Sequence, residues 1–153
     1  MTETNKPVKT MQIEMQRVDD AFHFEALGGD KVAVHIDGAA AIGGNHQGAR
    51  PMELILMGLG SCAVMDTLLI LKKMKQQVDD IKVVVEGDRE DGAVPAPFVA
   101  LRLRFILRGP HLEQKKAEQA VRLSIEKYCS VSVMLEKSAS INWTVDVQAT
   151  LIA

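Results

Sequence analysis

Two cysteines, Cys62 and Cys129, are the residues of this sequence with the clearest chemical potential. They lie too far apart in the sequence to form a Cys-x-x-Cys redox motif. A thiolate can act as a nucleophile, and a second thiol can then close a disulfide with it. Because unpaired cysteines are commonly buried and inert, a structural role for both is the alternative. The residues around each cysteine therefore have to be considered next.

Cys62 lies in the middle of the longest apolar run of the sequence, Pro51–Lys75, which is long enough for a buried helix. Asp66 follows one helical turn later, and its carboxylate can lean over the sulfur and disfavour a thiolate there. A reactive Cys62 therefore needs a nearby cation. The candidates are Arg50, in the glycine-rich loop that enters the helix, and Arg17, at the first hairpin.

Cys129 comes directly after a predicted helix from Leu112 to Lys127 and before a short predicted helix from Val131 to Lys137. A thiol at the start of a helix is favoured as a thiolate by the helix dipole and by free backbone N–H groups. The residues alone leave open whether the two cysteines are a reactive pair or two inert core residues.

Other kinds of site find less support in the sequence. We expect a hairpin with the three-residue loop Gly28–Asp30, which pairs Phe22 with Ile36 and places His23 opposite His35. No third ligand follows at a suitable spacing, so we interpret the histidines as solvent-side residues and predict no metal site. The sequence has no P-loop or dinucleotide fingerprint and no Ser-His-Asp ordering, and it predicts no cofactor.

The order of the predicted elements is three strands, the central helix, two strands, two helices and a last strand. This order indicates an α+β fold with antiparallel sheets rather than a doubly wound fold. At 153 residues we expect a single domain spanning residues 1–153, with residues 1–7 disordered. The predicted strands are Met11–Met15, Phe22–Ala26, Val32–Ile36, Ile81–Val85, Val99–Leu107 and Ile141–Val147.

Composition and charge set limits on the partners. With 47% hydrophobic residues, 25% charged residues and a net charge of −2, the chain has an ordinary globular composition and gives no reason to expect nucleic acid or anionic membrane as a partner. The first residues have no apolar signal region, and Glu53 and Asp66 disfavour membrane insertion of the central run. We therefore expect a cytoplasmic protein with a soluble core helix.

The segments RPMELILMGLGSCAVMDTLLIL and KYCSVSVMLEKS resemble the two cysteine motifs of the OsmC/Ohr family, in its OsmC-like branch. The resemblance extends over nearly the whole chain, including the order of the strands. In the first motif Pro51 precedes Cys62 by eleven residues, and small residues stand just before the cysteine. In the second motif Cys129 ends a long helix.

This resemblance implies an OsmC-like fold, with antiparallel sheets wrapped around a long buried central helix, in an intertwined homodimer. It implies a thiol-dependent peroxidase that reduces organic hydroperoxides in oxidative stress defence. Cys62 would be the peroxidatic cysteine and Cys129 the resolving one. A dithiol such as a dihydrolipoyl group would reduce the disulfide.

The peroxidase branches of the family carry a Glu directly after the motif proline and an Arg in the first hairpin. Here Met52 follows the proline and Glu53 comes next, while Arg17 and Arg50 are the available arginines. On one continuous helix, Glu53 and Cys62 would face opposite sides. The alternative is a non-catalytic OsmC-like protein that binds a small apolar or thiol-reactive ligand in the dimer-interface pocket.

Overall fold

A computed structural model describes residues 6–149, and its contacts divide the chain into one unit that ends at Leu54 and a second that begins at Ile55. The predicted order of elements is confirmed. The first unit contains β1 (Glu14–Arg17), β2 (Phe24–Leu27), β3 (Ala33–Ile36) and a short 3₁₀ helix (Ala40–Ile42). Helix α1 (Pro51–Lys73) leads into the second unit, which contains β4 (Asp80–Arg89), β5 (Phe98–Arg108), α2 (Gln114–Leu123), a π-helical segment (Ser124–Tyr128), α3 (Ser130–Leu135) and β6 (Ser140–Gln148). Of the residues expected to be disordered, residues 1–5 lie outside the described range, and the single-domain assignment stays a prediction.

The first unit contains an antiparallel sheet with the order β1-β2-β3. The turn between β1 and β2 is closed by Asp19, whose carboxylate accepts the backbone N–H groups of Ala21 at 2.8 Å and His23 at 3.2 Å. Such a short-range bond from an aspartate side chain to the backbone favours a turn over a continued strand. Strand β1 ends at Arg17, just before this turn, and it begins three residues later and ends two residues later than the sequence pattern predicts.

The register between β2 and β3 differs from the predicted one by two residues. Phe24, not Phe22, lies opposite Ile36, and Ala26 lies opposite Val34. The loop is longer than predicted because Lys31 adopts a left-handed conformation, with φ of 56°, and donates its N–H to the carbonyl of Gly28 at 3.0 Å. A shift by an even number of residues keeps every side chain on its predicted face of the sheet.

Helix α1 begins at the predicted residue, Pro51, where the missing N–H of proline leaves no intrahelical bond unmade. It continues through Gly58 and Gly60 and ends at Lys73, two residues before the predicted end. Lys75 has a φ of 57°, a left-handed conformation that does not continue a helix. Glu53 could face Cys62 only if α1 were interrupted between them. Because the helix continues without a break through its glycines, Glu53 and Cys62 face opposite sides of α1.

Helix α1 is buried along one stripe within the chain. Gly60 lies on this stripe, and a Cβ atom there would be 2.8 Å from Cγ2 of Val85, so the helix packs closely against β4. The sequence predicts a long buried central helix. One face of α1 is buried as predicted, whereas large apolar side chains on its other faces are exposed. The buried residues are Leu59, Gly60, Ala63, Thr67 and Leu71, and the exposed ones are Ile55, Met57, Met65, Leu68 and Leu69.

The composition of α1 also satisfies a simple criterion for a membrane span. Within residues 6–149 it is the one helix long and apolar enough to cross a bilayer, with a mean hydropathy of 2.1 in its most apolar window, of which 28% is buried. One helix of this kind is weak evidence, because core helices of soluble proteins meet the same criterion.

The second unit contains a mixed sheet with the order β4-β5-β6. Strands β4 and β5 are antiparallel, as predicted, but β6 runs parallel to β5, so the expectation of purely antiparallel sheets is wrong for this pair. Helices α2 and α3 form the connection between β5 and β6, and a helical crossover of this length is what a parallel pair requires. The alternate residues of β5 that face the core are Leu101, Leu103, Phe105 and Leu107.

Candidate functional site

A buried hydroxyl group connects the segment before Cys129 to helix α1. The side chain of Ser124 donates a hydrogen bond to the backbone carbonyl of Ala63 at 2.9 Å, and Ser124 is fully buried. Ser124 also begins the π-helical segment, and its carbonyl accepts the N–H of Cys129 at 2.8 Å. The contact with Ala63 therefore fixes Cys129 next to the turn of α1 that carries Cys62.

Cys129 lies at the N-cap of α3, as the sequence predicts. Its sulfur accepts the backbone N–H of Ser132 at 3.4 Å, while the Ser132 hydroxyl donates to the carbonyls of Ile125 and Cys129 at 2.5 and 3.0 Å. Burial raises the pKa of the Cys129 thiol, and the N–H of Ser132 offsets only part of that effect. The expected preference for thiolate at this position is wrong, because desolvation outweighs the favourable helix terminus.

Cys62, Asp66 and Cys129 form a cluster in the second unit. The two sulfurs and a carboxylate oxygen of Asp66 all lie within 4.8 Å of one another. Cys62 and Asp66 are half-buried and Cys129 is fully buried. Both cysteines are free thiols, and a disulfide between them needs their sulfurs to approach to about 2.05 Å. Asp66 lies close to Cys62, as predicted, and Cys129 lies next to both of them.

Among the described residues, no side-chain cation contacts the carboxylate of Asp66. Among residues 6–149, the ion pairs within 4.0 Å do not involve Asp66. A cation that favours a thiolate usually lies within about 4–6 Å of it. The local environment in the second unit thus contributes a negative charge beside the two sulfurs.

The predicted candidates Arg50 and Glu53 lie together in the first unit. Glu53 accepts the backbone N–H of Arg50 at 2.9 Å and the guanidinium of Arg50 at 2.8 Å. The backbone N–H of Arg50, followed by its guanidinium, holds the pKa of Glu53 below its usual value. A glutamate in the third helical position that bonds back to the N-cap residue is one half of a capping box, so this pair stabilises the start of α1.

A surface cavity of about 190 Å³ lies beside the Arg50–Glu53 pair in the first unit. The glycine-rich loop 37–50 provides most of its lining. The residues that line the cavity are Gly38, Ala39, Ala40, His46, Gly48, Arg50 and Glu53.

The remaining candidate, Arg17, is exposed at the end of β1 and makes no ion pair among the described residues.

Asp37 holds the same loop in shape. Its carboxylate is 1% exposed and accepts the backbone N–H groups of Gly38, Asn45 and Gln47 at 2.7, 3.0 and 3.1 Å. These hydrogen bonds hold the pKa of the Asp37 carboxyl below its usual value, and the bond from Gln47 is the largest cause. Burial acts in the opposite direction. Sequence reasoning passed over this residue, because its partners are backbone groups that carry no sequence signal.

Acid is expected to weaken the first unit through Asp37. Because the folded-state pKa of Asp37 is lowered, its stabilising effect is complete above its unfolded pKa of about 3.9 and is lost as the pH falls through the folded value. We expect Asp37→Asn to be less stable near neutral pH and to lose less stability on acidification. Chemical denaturation at a series of pH values measures both effects. An unchanged acid dependence in Asp37→Asn would contradict this role.

His23 and His35 lie close together, although not directly opposite each other. Because of the shifted register, Glu25 lies opposite His35, and Nε2 of His23 lies 2.9 Å from Nδ1 of His35. This distance fits one hydrogen bond between a donor ring and an acceptor ring. The two rings therefore partner each other at the surface of the first sheet.

A family model described as OsmC-like protein matches residues 43–144, which include both cysteines and the whole of α1. The chain belongs to the OsmC-like family. The family that the cysteine motifs predict is thereby confirmed.

Individual proteins are similar to this OsmC-like chain in sequence and in structure. Protein YhfA of Escherichia coli (strain K12) is 41% identical over 99 residues, which cover 65% of this chain and 73% of that protein. The crystal structure of a hypothetical protein from Aquifex aeolicus VF5 is 31% identical, with a TM-score of 0.76 over 92% of this chain and 99% of that one.

A more distant structure supports the OsmC-like fold alone. An organic hydroperoxide resistance protein OsmC from Legionella pneumophila has a TM-score of 0.69 and 19% identity, over 93% of this chain and 100% of that one. At that level of identity the likeness concerns the arrangement of helices and strands. The predicted OsmC-like α+β fold is confirmed.

Proposed function

We propose that this OsmC-like chain is a thiol-dependent peroxidase that reduces organic hydroperoxides, with a role in oxidative stress defence. The observation that carries the proposal is the position of the two motif cysteines, whose sulfurs lie within 4.8 Å of each other. Two thiols at this distance can be joined by modest movements of their side chains. The membership of the chain in the OsmC-like family supports the same chemistry.

The proposed reaction begins at the Cys62 sulfur. As a thiolate it attacks one oxygen of the hydroperoxide, the O–O bond breaks, and the alkoxide takes a proton and leaves as an alcohol. Cys62 is then a sulfenic acid. The Cys129 sulfur attacks the Cys62 sulfur, its proton and the hydroxyl group leave as water, and a disulfide forms. A dithiol, for example a dihydrolipoyl group, restores both thiols by two exchanges and becomes a disulfide itself.

Exposure supports this division of roles. Cys62 is half-buried and therefore open to a small hydroperoxide, whereas Cys129 is fully buried. Burial raises the pKa of the Cys129 thiol, which fits a cysteine that does not itself attack the peroxide. Arg50 and Arg17 are the proposed activating groups. Glu53 is proposed only as the partner that positions Arg50, because it faces away from Cys62 on the continuous helix α1. If these arginines activate Cys62, its first oxidation should be slower in Arg50→Gln or Arg17→Gln, and the yield of disulfide should be unchanged.

The proposed function is tested by oxidation with one equivalent of an alkyl hydroperoxide. We expect the fully reduced chain to lose both thiols, and peptide mapping to find an intramolecular bond between Cys62 and Cys129. The Cys129→Ser variant should stop at the sulfenic acid, which a dimedone-type reagent captures. Recovery of two free thiols per chain after this treatment would contradict the proposal.

We also propose that the chain forms a homodimer in the cytoplasm. The support is the apolar surface of α1 that other parts of the chain leave uncovered, of which Met65 is 63% and Leu69 59% exposed. Exposed apolar patches of this kind are typical of interaction sites. Cys62 lies on the same helix, so a second chain that covers this surface would also enclose the thiol. A stable monomer at micromolar concentration in light scattering would contradict the dimer.

The Met65→Glu substitution is expected to weaken this dimer. A carboxylate on the covered surface should raise the dissociation constant by at least about tenfold, the scale of losing one important interface contact. Sedimentation equilibrium measures the change. Gln119→Glu, which places a carboxylate at an exposed position of α2, is the matched control and should leave the constant unchanged. Equal constants for Met65→Glu and the unmodified chain would place the interface elsewhere.

A second candidate function is supported by the charge around Cys62. Asp66 lies within 4.8 Å of the sulfur and has no cation in contact with it among residues 6–149. Reactive cysteines are typically found in electropositive surroundings, and a carboxylate without a neighbouring cation does not provide them. The same pocket would then bind a small apolar or thiol-reactive ligand without turnover. In that case hydroperoxide would oxidise the chain no faster than it oxidises free cysteine.

A further inference from the structure

We propose that Cys62, Asp66 and Cys129 form a binding site for a thiophilic divalent cation, with zinc as the ion that fits best. The proposal goes beyond peroxide reduction and does not depend on it. It does use the same two sulfurs, so a bound ion and a disulfide exclude each other. The observation behind it is the convergence of two sulfurs and a carboxylate oxygen within 4.8 Å.

The distances suit a tetrahedral ion. With Zn–S bonds of about 2.3 Å and Zn–O bonds of about 2.0 Å, tetrahedral zinc holds two sulfurs about 3.8 Å apart and a sulfur and an oxygen about 3.5 Å apart. Donor atoms within 4.8 Å of one another reach these separations with shifts of about 1 Å. Side-chain rotation alone is enough for movements of this size.

The elements around the cluster hold the donors in place. Cys62 and Asp66 are four residues apart on α1, the spacing at which two helical side chains bind one metal ion. Cys129 is held from the other side by the N–H of Ser132 and, through the π-helical segment, by the bond from Ser124 to α1. The three donors therefore come from two segments that are already packed together.

The donor types select the ion. Two sulfurs and one carboxylate oxygen suit zinc, whereas magnesium and calcium prefer oxygen ligands alone. Asp66 opposes a reactive thiolate, but the same carboxylate is a favourable ligand once a cation is bound. Cys62 and Asp66 are half-buried, which provides a path of entry and leaves a fourth position for water.

The test is a titration of the fully reduced full-length chain with zinc, in competition with a chromophoric chelator. We expect one zinc ion per chain. Cobalt in place of zinc should give sulfur-to-cobalt charge-transfer absorption with the intensity of two thiolate ligands. Wild-type chain oxidised with diamide, which takes two electrons and two protons as the disulfide forms, should bind no zinc and requires no substitution.

Matched variants test each donor. In Cys62→Ser and in Cys129→Ser, the sulfur-to-cobalt absorption should no longer have the intensity of two thiolate ligands. Asp66→Asn should bind zinc at least about tenfold more weakly, since even outer partners of metal ligands typically contribute 10- to 100-fold. Asp91→Asn, an exposed carboxylate between β4 and β5, should bind as the unmodified chain does. Unchanged binding in Asp66→Asn or in the diamide-oxidised chain would overturn the site.

Failure of this inference can be told apart from failure of the proposed function. A disulfide formed by hydroperoxide in a chain that binds no zinc overturns the metal site alone. If zinc binding requires all three donors and hydroperoxide leaves the chain reduced, the metal site is supported and the proposed peroxidase function is overturned.

Discussion

Replacing Cys62 with serine is expected to lower the rate of organic hydroperoxide reduction by at least about a thousandfold, the scale on which an enzyme loses activity without its nucleophile. The physical reason is that a serine hydroxyl is a far weaker nucleophile than a thiolate, and it cannot form a sulfenic acid. The measurement is alcohol production from a tertiary alkyl hydroperoxide in the presence of an excess of dithiol.

Cys129→Ser provides the matched comparison, because both variants replace one sulfur by oxygen in the same cluster. In Cys129→Ser the first oxidation of Cys62 should keep its rate, while the sulfenic acid persists and the disulfide never forms. A Cys62→Ser variant that retains full activity would remove the proposed role of Cys62. A Cys129→Ser variant that turns over hydroperoxide with the dithiol as fast as the unmodified chain would remove the proposed role of Cys129.

Replacing Ser124 with alanine is expected to have the second largest effect, although Ser124 touches neither peroxide nor dithiol. The substitution removes the buried hydrogen bond to the carbonyl of Ala63, which corresponds to a loss of about 1 kcal/mol in the free energy of unfolding. Because this bond holds the Cys129 segment against α1, closure of the disulfide should slow. The first oxidation of Cys62 should not change.

Stopped-flow measurements separate these two steps, and urea denaturation gives the change in stability. Ser138→Ala is the control, since the Ser138 hydroxyl donates to the carbonyl of Leu135 at 3.3 Å on an exposed surface. It should affect neither quantity. If Ser124→Ala slowed the first oxidation and disulfide closure equally, Ser124 would act on the whole pocket rather than on the position of Cys129.

The sequence predicts most of the elements because their signals are local. Pro51 and the following apolar run define α1 to within two residues at its end. The alternation in β5 correctly places Leu101, Leu103, Phe105 and Leu107 in the core, but at the start of the strand Phe98 is buried and Val99 is exposed. The register of β2 and β3 is missed by two residues, because it depends on the left-handed conformation of Lys31. Nothing in the residue type of a lysine signals such a conformation.

The direction of β6 and the geometry of the cluster depend on contacts between distant parts of the chain. Alternating apolar residues in β6 indicate a strand but do not show whether it runs parallel or antiparallel to β5. The approach of Cys129 to Cys62 involves contacts between residues far apart in the sequence, such as the hydrogen bond from Ser124 to Ala63. The effect of burial on Cys129 likewise becomes visible only when its neighbours in space are known.

The central claim is that Cys62 is a peroxide-reactive thiol rather than part of an inert ligand pocket. The most direct measurement is the second-order rate constant for oxidation of the reduced chain by an alkyl hydroperoxide, compared with that of free cysteine at the same pH. We expect the protein to react at least about a hundredfold faster, the scale that positioned catalytic groups typically contribute. A rate constant equal to that of free cysteine would contradict the peroxidase and leave the binding function in its place.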